Sequence, residues 1–184
     1  MKFAKDTRIG AETYKAAEVL AEALPWIKAA TGKTVVIKYG GAAMVDPQLR
    51  ADVMNDIVLL KIVGLNPVIV HGGGKAISAG MERFGVPVEF RNGLRVTSDE
   101  GMEVVRTILV GEVNQDLVRE INAHGNLAVG VSGSDAGTVI AEQISPELGR
   151  VGRVTAVNTG FLQEIIDAVM GIFVLIYFHA YLPL

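Results

Sequence analysis

A lysine and two clusters of glycine are the residues of this sequence whose types and spacing could do chemistry. Lys38 lies near the end of a β-branched run and is soon followed by Gly40 and Gly41. A second such run, further along the chain, ends in the triplet Gly72–Gly74. Glycines at a strand end leave backbone N–H groups bare, and an ammonium group beside them neutralises negative charge. The pattern therefore indicates a site for an anion, phosphate above all.

Each of these residues also has an ordinary structural explanation. A lysine at a sheet edge often extends its ammonium group into solvent, although two glycines soon after Lys38 favour an anion site. Three consecutive glycines exceed what a strand-to-helix turn requires, so they favour an anion at a helix N-terminus. His71 is more simply a hydrogen-bonded structural histidine than a base. The phosphate-loop pattern GxxxxGK[ST] is not met, because Ala76 follows Lys75.

Two further polar residues are weaker candidates. Arg95 follows the pair Asn92-Gly93, and an arginine there could hold a carboxylate through two hydrogen bonds. From the pattern alone, a solvated arginine is the simpler interpretation. Asp135 lies in the segment GVSGSDAG and could hold a metal ion or a substrate amide. Glycine-serine loops with a single aspartate are common turns, so this second interpretation carries little weight.

The elements that must position these residues indicate an α/β fold with a mainly parallel central sheet. The periodicity predicts a helix over residues 11–31 and a buried strand over 33–38. A second helix begins at Pro47 and is ended by Gly64, and a second strand follows over 67–71. This βαβ unit brings the ends of two parallel strands side by side.

The rest of the chain continues the alternation with one interruption. Residues 85–97 alternate around Asn92-Gly93, which predicts a β-hairpin. A helix begins near Lys75, after the glycine triplet. The other predicted elements are a long helix over 99–123, a third central strand over 127–131, short strands over 138–142 and 151–157, and a helix over 159–167.

Composition excludes several classes of function. The chain of 184 residues has a formal net charge of −3, so it carries no basic field for nucleic acid. It has no cysteine, and its three histidines are far apart, so neither disulfides nor a recognisable metal site is expected. The absence of cysteine favours a reducing cytoplasm, and the N-terminus lacks the apolar stretch of a signal peptide.

The last residues, 168–184, are almost entirely apolar. This stretch is slightly short for a membrane span of ~20 residues, and no basic cluster flanks it, so a membrane tether is a minor alternative. A buried strand, IFVLIYF, fits within it.

Five motifs together resemble the acetylglutamate kinases, a branch of the amino-acid kinase family. The resemblance covers roughly residues 12–167, and the order of the motifs is highly specific. The motifs are KYGG (Lys38–Gly41), VHGGG (Val70–Gly74), NGLRVT (Asn92–Thr97), AVGVSGSDA (Ala128–Ala136) and VGRVTAVN (Val151–Asn158).

The resemblance implies a fold and an activity. The fold is a three-layer α/β sandwich, of which this chain carries the N-terminal lobe with an inserted β-hairpin lid over the substrate. The activity is phosphorylation of the γ-carboxylate of N-acetyl-L-glutamate by ATP with Mg²⁺, a step of arginine biosynthesis. Phosphoryl transfer of this kind needs positioning and charge neutralisation more than covalent chemistry from the protein.

The resemblance also implies a role for each site residue. Lys38 stabilises the transferring phosphoryl group, and Arg95 binds the α-carboxylate of the substrate. Backbone N–H groups of Gly40, Gly41 and Gly72 contact oxyanions, while Gly73 and Gly74 belong to the substrate site. No metal ligand is assigned.

The same resemblance divides the chain into three parts. Residues 1–31, with Pro25 as the expected kink, resemble the extra helix of arginine-inhibited members that form hexamers, so a dimer or hexamer and arginine feedback are implied. Residues 32–167 are the acetylglutamate-binding lobe. Residues 168–184 are an atypical apolar tail, and the ATP-binding lobe of the family is not found, so impaired activity is expected.

Two alternatives stay open. The chain could be a non-catalytic acetylglutamate-binding or regulatory subunit that supplies an interface to full-length partners. It could also be a different member of the family, such as a carbamate, aspartate, glutamate 5- or uridylate kinase. The segment NGLRVT favours acetylglutamate.

Overall fold

The computed structural model describes residues 11–168 and 171–176, which form a central parallel sheet, two small antiparallel ribbons and six α-helices. The helices are α1 (Ala11–Ala30), α2 (Pro47–Ile62), α3 (Gly74–Arg83), α4 (Asp99–Arg106), α5 (Gln115–Asn122) and α6 (Thr159–Ala168). The strands are β1 (Thr34–Tyr39), β2 (Asn66–His71), β3 (Glu89–Arg91), β4 (Leu94–Val96), β5 (Ala128–Val131), β6 (Val139–Gln143), β7 (Gly152–Val157) and β8 (Ile172–Ile176).

The central sheet has the strand order β1-β2-β8-β5, and all its pairings are parallel. Lys38 pairs with Val70 and Tyr39 pairs with His71, so β1 and β2 end at the same level. The predicted juxtaposition of the two glycine-rich strand ends is therefore confirmed. It follows from the parallel register, because the carboxyl ends of neighbouring parallel strands share one edge of a sheet.

The strand predicted within IFVLIYF is confirmed over residues 172–176, and the last two residues of that segment lie outside the described part of the chain. This strand, β8, pairs with β2 on one side and with β5 on the other. The third strand predicted for the central sheet is confirmed as β5, which lies outermost in the described sheet because β8 separates it from β2.

Helices cover both faces of the sheet and give it three layers. On one face α2 and α5 pack against β1 and β2 through a core that includes Met54, Ile57, Ile69, Leu117 and Ile121. On the other face α6 packs against the centre of the sheet, with Val68 and Val131 at that contact. This arrangement matches the expected three-layer sandwich.

The hairpin predicted around Asn92-Gly93 is present as β3 and β4. Arg91 pairs with Leu94, and the two residues between them have φ angles of 51° and 81°. Two successive positive φ angles are typical of the tight turns that match the twist of paired strands, and Asn-Gly adopts them readily. The local sequence therefore determines this turn.

The long helix predicted over 99–123 is present but is not regular. Residues Thr107–Asn114 form a π-helical segment between α4 and α5. Its residues Ile108 and Leu109 are buried against α3 in a second core cluster. A π-helical turn shifts the register of the helix face, and apolar periodicity alone does not reveal such a shift.

Helix α1 is a single element through Pro25 rather than two abutting helices. Most of its side chains are exposed, and Trp26 is 77% exposed despite its size. Leu20 and Leu24, one helical turn apart, are also exposed. The apolar face of α1 is therefore uncovered by the described part of the domain.

No helix in the described part of the chain is both long enough and apolar enough to cross a membrane.

Candidate anion and substrate site

A cavity of about 800 Å³ lies beyond the carboxyl ends of β1 and β2. Every residue that the family resemblance assigns to the site lines this cavity. The lining residues are Lys38, Tyr39, Gly40, Gly41, Met44, Val70, Gly72, Gly73, Gly74, Lys75, Ile77, Ser78, Ala79, Glu82, Phe90, Gly93, Leu94, Arg95, Leu109 and Val151. The tertiary structure thus brings together three segments that are far apart along the chain: the end of β1, the end of β2 with α3, and the β3–β4 hairpin.

Lys38 lies on the wall formed by the end of β1, and its side chain is exposed. The expectation that β1 would be buried on both faces was wrong. It is outermost in the described sheet, and Val36, on the same face as Lys38, is 67% exposed. The Lys38 ammonium group therefore keeps its hydration, and an anion in the cavity would compete with water for it rather than relieve a buried charge.

The first glycine cluster leads into a short 3₁₀ helix, Gly41–Met44. Gly41 has a φ angle of 64°, a left-handed conformation that glycine adopts without strain. The buried Tyr39 supports this turn, because its hydroxyl group donates to the carbonyl oxygen of Ala43 over 2.6 Å. Burial raises the pKa of the Tyr39 hydroxyl, so this donor stays protonated at neutral pH.

The second glycine cluster forms the entrance to α3. Gly73 is the N-cap residue, and its carbonyl oxygen accepts the first helical hydrogen bond from the Ile77 N–H over 2.8 Å. A Cβ atom at position 73 would lie 2.5 Å from Cδ2 of Leu109, so a larger residue would displace the packing of the π-helical segment. The first turn of α3, at Gly74 and Lys75, lines the cavity, where the helix N-terminus carries partial positive charge.

Arg95 is buried, with 8% of its surface exposed, and the simpler interpretation of a solvated arginine was wrong. Its Nη2 atom donates to the carbonyl oxygen of Gly74 over 3.1 Å and to the Ser78 hydroxyl over 2.7 Å. Its guanidinium carbon lies 4.6 Å from the centre of the Phe90 ring. These contacts fasten the hairpin to the first turns of α3, so Arg95 is both a structural link and a cation at the cavity wall.

The charges around the cavity favour anions. Within residues 11–168 and 171–176, three cationic side chains line it, Lys38, Lys75 and Arg95, against one carboxylate, Glu82. Sequence reasoning did not assign Lys75 to the site, although it directly follows the glycine triplet. Nor did it assign Ser78 or Glu82, whose positions one and two helical turns into α3 place them on the same wall.

His71 does not line the cavity. It is fully buried and hydrogen-bonded through both ring nitrogens, to the Gly72 carbonyl and to Asn114, as expected of a structural histidine. Burial lowers the pKa of His71, although the hydrogen bond to the Gly72 carbonyl partly offsets this. The ring is therefore neutral at neutral pH.

Asp135 is not among the described residues that line the cavity. Its Oδ2 atom accepts a hydrogen bond from the Ser132 N–H over 2.7 Å, so the carboxylate closes the turn after β5. In the described part of the chain, no three or more acidic or histidine residues lie close enough to hold a metal ion.

Comparison with known proteins identifies several relatives. The chain is 49% identical over 158 residues to an acetylglutamate kinase of Streptomyces griseus and 52% identical over 159 residues to one of Corynebacterium diphtheriae. These matches cover 82% and 83% of this chain and 51% of each relative, so the chain spans about half the length of the curated relatives it matches.

Solved structures show the same architecture. The protein smu.665 of Streptococcus mutans is 32% identical and superposes with a TM-score of 0.68 over 78% of this chain and 58% of its own. An N-acetylglutamate synthase of Neisseria gonorrhoeae superposes with a TM-score of 0.70 over 87% of this chain and 37% of its own. Its sequence is only 20% identical, so this second likeness concerns the fold.

The model of the amino acid kinase family matches residues 33–178, which include both glycine-rich strand ends, the hairpin and the central strand β8. The chain therefore belongs to the amino acid kinase family.

Proposed function

We propose that these residues form the acetylglutamate-binding part of an ATP-dependent acetylglutamate kinase. The observation that carries the proposal is the single cavity that joins Lys38, both glycine clusters and Arg95. Its excess of positive charge suits a ligand with two carboxylates, one of which becomes phosphorylated. The names of the relatives that share about half of their length with this chain support the same substrate.

The residues of this chain would act by binding and by neutralising charge. The Lys38 ammonium group and the N–H groups of Gly40, Gly41 and Gly72 would hold the γ-carboxylate and the phosphoryl group that it accepts. Gly73 and Gly74, at the N-terminus of α3, would bind the substrate backbone. Arg95, already held by Gly74 and Ser78, would present its charge to the α-carboxylate.

ATP would supply the phosphoryl group. Glu82 is the one carboxylate among the described residues that line the cavity, and an isolated carboxylate makes a poor magnesium site. The described residues therefore do not fit a bound Mg²⁺ ion. We propose that they provide the acceptor side of the reaction, and that this stretch by itself transfers phosphate slowly or not at all.

Calorimetry with N-acetyl-L-glutamate tests the binding part of the proposal. N-acetyl-L-glutamine is the matched ligand, because it replaces the γ-carboxylate by a neutral amide. We expect the acid to bind and the amide to bind at least about tenfold more weakly, since a charge-assisted contact is worth about 1.5–3 kcal/mol. Equal affinities for the two ligands would refute the proposed site.

A coupled assay with ATP, magnesium and N-acetyl-L-glutamate tests the catalytic part. Turnover at the rate typical of kinases, about 1–100 s⁻¹, would refute the proposed impairment.

The calorimetric experiment also tests other acceptors on which members of the family act: carbamate, L-aspartate, L-glutamate and uridine monophosphate. Tighter binding of one of these would assign the chain to a different branch.

The second candidate function is a non-catalytic acetylglutamate-binding or regulatory subunit. The lining of the cavity favours it, because the described residues suit an anion but not a bound Mg²⁺ ion. The two candidates differ in the turnover of ATP that they show once the rest of a kinase is supplied as a second polypeptide. A kinase half gains turnover when those residues complete its site. A regulatory subunit binds acetylglutamate but adds no turnover.

Helix α1 supports a proposal of oligomerisation. Leu20, Leu24 and Trp26 expose apolar surface on it, which a second copy would cover. We propose a homo-oligomer, a dimer or a hexamer, in which α1 is the contact and arginine acts as feedback inhibitor. Light scattering of the chain with and without residues 11–30 tests the contact. The same number of subunits before and after the deletion would refute the contact. Titration of the chain with arginine by calorimetry tests the proposed inhibitor.

We propose that the β3–β4 hairpin is a lid over the same cavity. Phe90, Gly93 and Leu94 line the cavity from the hairpin, and the glycine-rich strand ends line the same cavity. A hydrogen-exchange experiment tests this role, because the amide hydrogens of Arg91–Leu94 in a lid exchange more slowly when N-acetyl-L-glutamate binds.

Cytoplasmic location is proposed on the same basis as the activity, since ATP and amino-acid precursors are cytoplasmic.

A further inference from the structure

Behind the glycine triplet lies a buried polar pair that does not line the cavity. His71 has no exposed surface and Asn114 is 2% exposed. His71 is the last residue of β2, and Asn114 is the last residue of the π-helical segment Thr107–Asn114. Burying two polar side chains next to a binding loop is costly unless their hydrogen bonds are satisfied.

The partners of His71 determine where its ring proton lies. Its Nδ1 atom is 3.0 Å from the carbonyl oxygen of Gly72, which only accepts hydrogen bonds. Its Nε2 atom is 3.1 Å from Nδ2 of Asn114, which only donates. A neutral imidazole has one donor and one acceptor, so Nδ1 carries the proton and Nε2 accepts from Asn114. Asn114 thereby selects the tautomer that can donate to Gly72.

The Gly72 carbonyl fixes the direction of the next N–H group. The peptide bond between Gly72 and Gly73 is planar, and the described chain has no cis peptide bond. In a trans peptide the C=O and N–H bonds point in opposite directions. Because the carbonyl points at the buried His71, the Gly73 N–H points away from it. Gly72 and Gly73 both line the cavity, whereas His71 does not.

The π-helical segment holds this arrangement from behind. Leu109 packs so closely on Gly73 that a Cβ atom there would lie 2.5 Å from Cδ2. Asn114 packs still more closely on Gly130 of β5, where an added Cβ atom would overlap its Oδ1 atom. The segment therefore contacts the glycine loop both directly and through His71, and π-helical turns are often found at functional sites.

From this geometry we propose that His71 and Asn114 are positioning residues: through the Nδ1–H···O=C bond to Gly72 they aim the Gly73 N–H group into the anion site. Without that bond the peptide between two glycines can rotate, because neither residue has a side chain that restricts it. A preorganised N–H donor is worth more to an anion than one that must reorient on binding. The proposal rests on the proposed function, since the site binds a carboxylate or phosphate.

A matched pair of substitutions tests the proposal. In His71→Asn the amide nitrogen takes the place of Nδ1 and keeps the donor to Gly72. In His71→Gln the amide reaches the Nε2 position, keeps a partner for Asn114 and loses the donor to Gly72. We expect His71→Asn to bind N-acetyl-L-glutamate within about threefold of the unsubstituted chain, and His71→Gln to bind about tenfold more weakly.

Thermal unfolding of both variants separates positioning from stability. Equal affinities of the two variants, or affinities that follow their unfolding midpoints, would overturn the positioning role. Nitrogen-15 NMR of the unsubstituted chain needs no substitution and tests the same step. A His71 tautomer protonated at Nε2 would overturn the proposal, and one protonated at Nδ1 supports it.

The outcomes also separate this proposal from the proposed function. If the unsubstituted chain does not bind N-acetyl-L-glutamate, the proposed function fails, and inorganic phosphate becomes the probe for the same comparison. The Gly73 amide resonance should shift on addition of whichever anion binds, and more in His71→Asn than in His71→Gln. A Gly73 resonance that no bound anion moves would overturn the positioning role alone.

Discussion

Arg95 donates a hydrogen bond to the main-chain oxygen of Gly74, with 3.1 Å between Nη2 and that oxygen. This bond joins strand β4 of the hairpin to the first turn of α3, and residues of both elements line the cavity. The Ser78 hydroxyl accepts from the same nitrogen over 2.7 Å. One side chain thus sets the position of the hairpin relative to the glycine triplet.

Replacing Arg95 should therefore affect stability as well as binding. We expect Arg95→Met to lower the free energy of unfolding by about 2–3 kcal/mol, because Gly74 and Ser78 lose the charged, buried donor that joins them to the hairpin. Urea denaturation measures this change. Arg91→Met is the control on the same hairpin, because Arg91 is exposed and pairs with the exposed Glu89, and it should leave unfolding nearly unchanged. Similar losses for both variants would contradict the structural link.

Lys38 should contribute to binding without contributing to stability. Its side chain is exposed, so we expect Lys38→Met to change the free energy of unfolding by less than about 0.5 kcal/mol. The affinity for inorganic phosphate should fall about five- to tenfold, because one of three cationic groups at the cavity is lost. Calorimetry measures the affinity. Lys33→Met removes an exposed lysine just before β1 that does not line the cavity, and it should bind phosphate normally.

The burial of His71 predicts a loss of stability on acidification. Burial holds the pKa of His71 in the folded state below its ordinary value of 6.5. Below that value the unfolded chain binds a proton that the folded chain does not, so unfolding is favoured. The contribution of the neutral His71 ring to the free energy of unfolding is therefore fully present above about pH 6.5. It decreases as the pH falls toward the folded-state pKa of His71.

Urea denaturation between pH 8 and pH 5 measures this dependence. The exposed His124 provides the control, since His124→Gln should keep the fall in stability at low pH. His71→Asn should reduce that fall, because an amide does not titrate. A pH profile that His71→Asn leaves unchanged would show that other groups cause it.

Two helical glycines should respond oppositely to alanine. A Cβ atom at Gly80 would lie 2.5 Å from Cγ1 of Ile108, at the contact of α3 with the π-helical segment. Gly80→Ala should therefore lower the free energy of unfolding by about 1–3 kcal/mol. At Gly111, in the π-helical segment, a Cβ atom would meet nothing within 4 Å, so Gly111→Ala should raise it by about 0.5–1 kcal/mol. Thermal denaturation of the two variants measures both signs, and destabilisation by Gly111→Ala would contradict the packing described here.

The local elements were largely predictable because each has a local cause. Asp46 accepts from the Leu49 N–H and begins α2, and Asn92 with Gly93 makes the hairpin turn. The parallel pairing of β1 with β2 also followed, since a βαβ unit has one usual arrangement. The burial of Arg95 and the exposure of Lys38 did not follow, because both depend on which strands and helices lie beside them.

The amino-acid sequence by itself indicated the glycines, Lys38 and Arg95 as members of the candidate site, since these residues carry their chemistry wherever they lie. It did not indicate Lys75, Ser78 or Glu82, which the fold brings to the same cavity. It also determined most helix and strand boundaries, which arise from caps, turns and periodicity over a few residues. Only the tertiary structure decided that β8 separates β2 from β5, that β1 lies outermost, and that a π-helical segment backs the glycine loop. These features depend on contacts between residues distant along the chain, and a local pattern of side chains does not encode the free energy of such contacts.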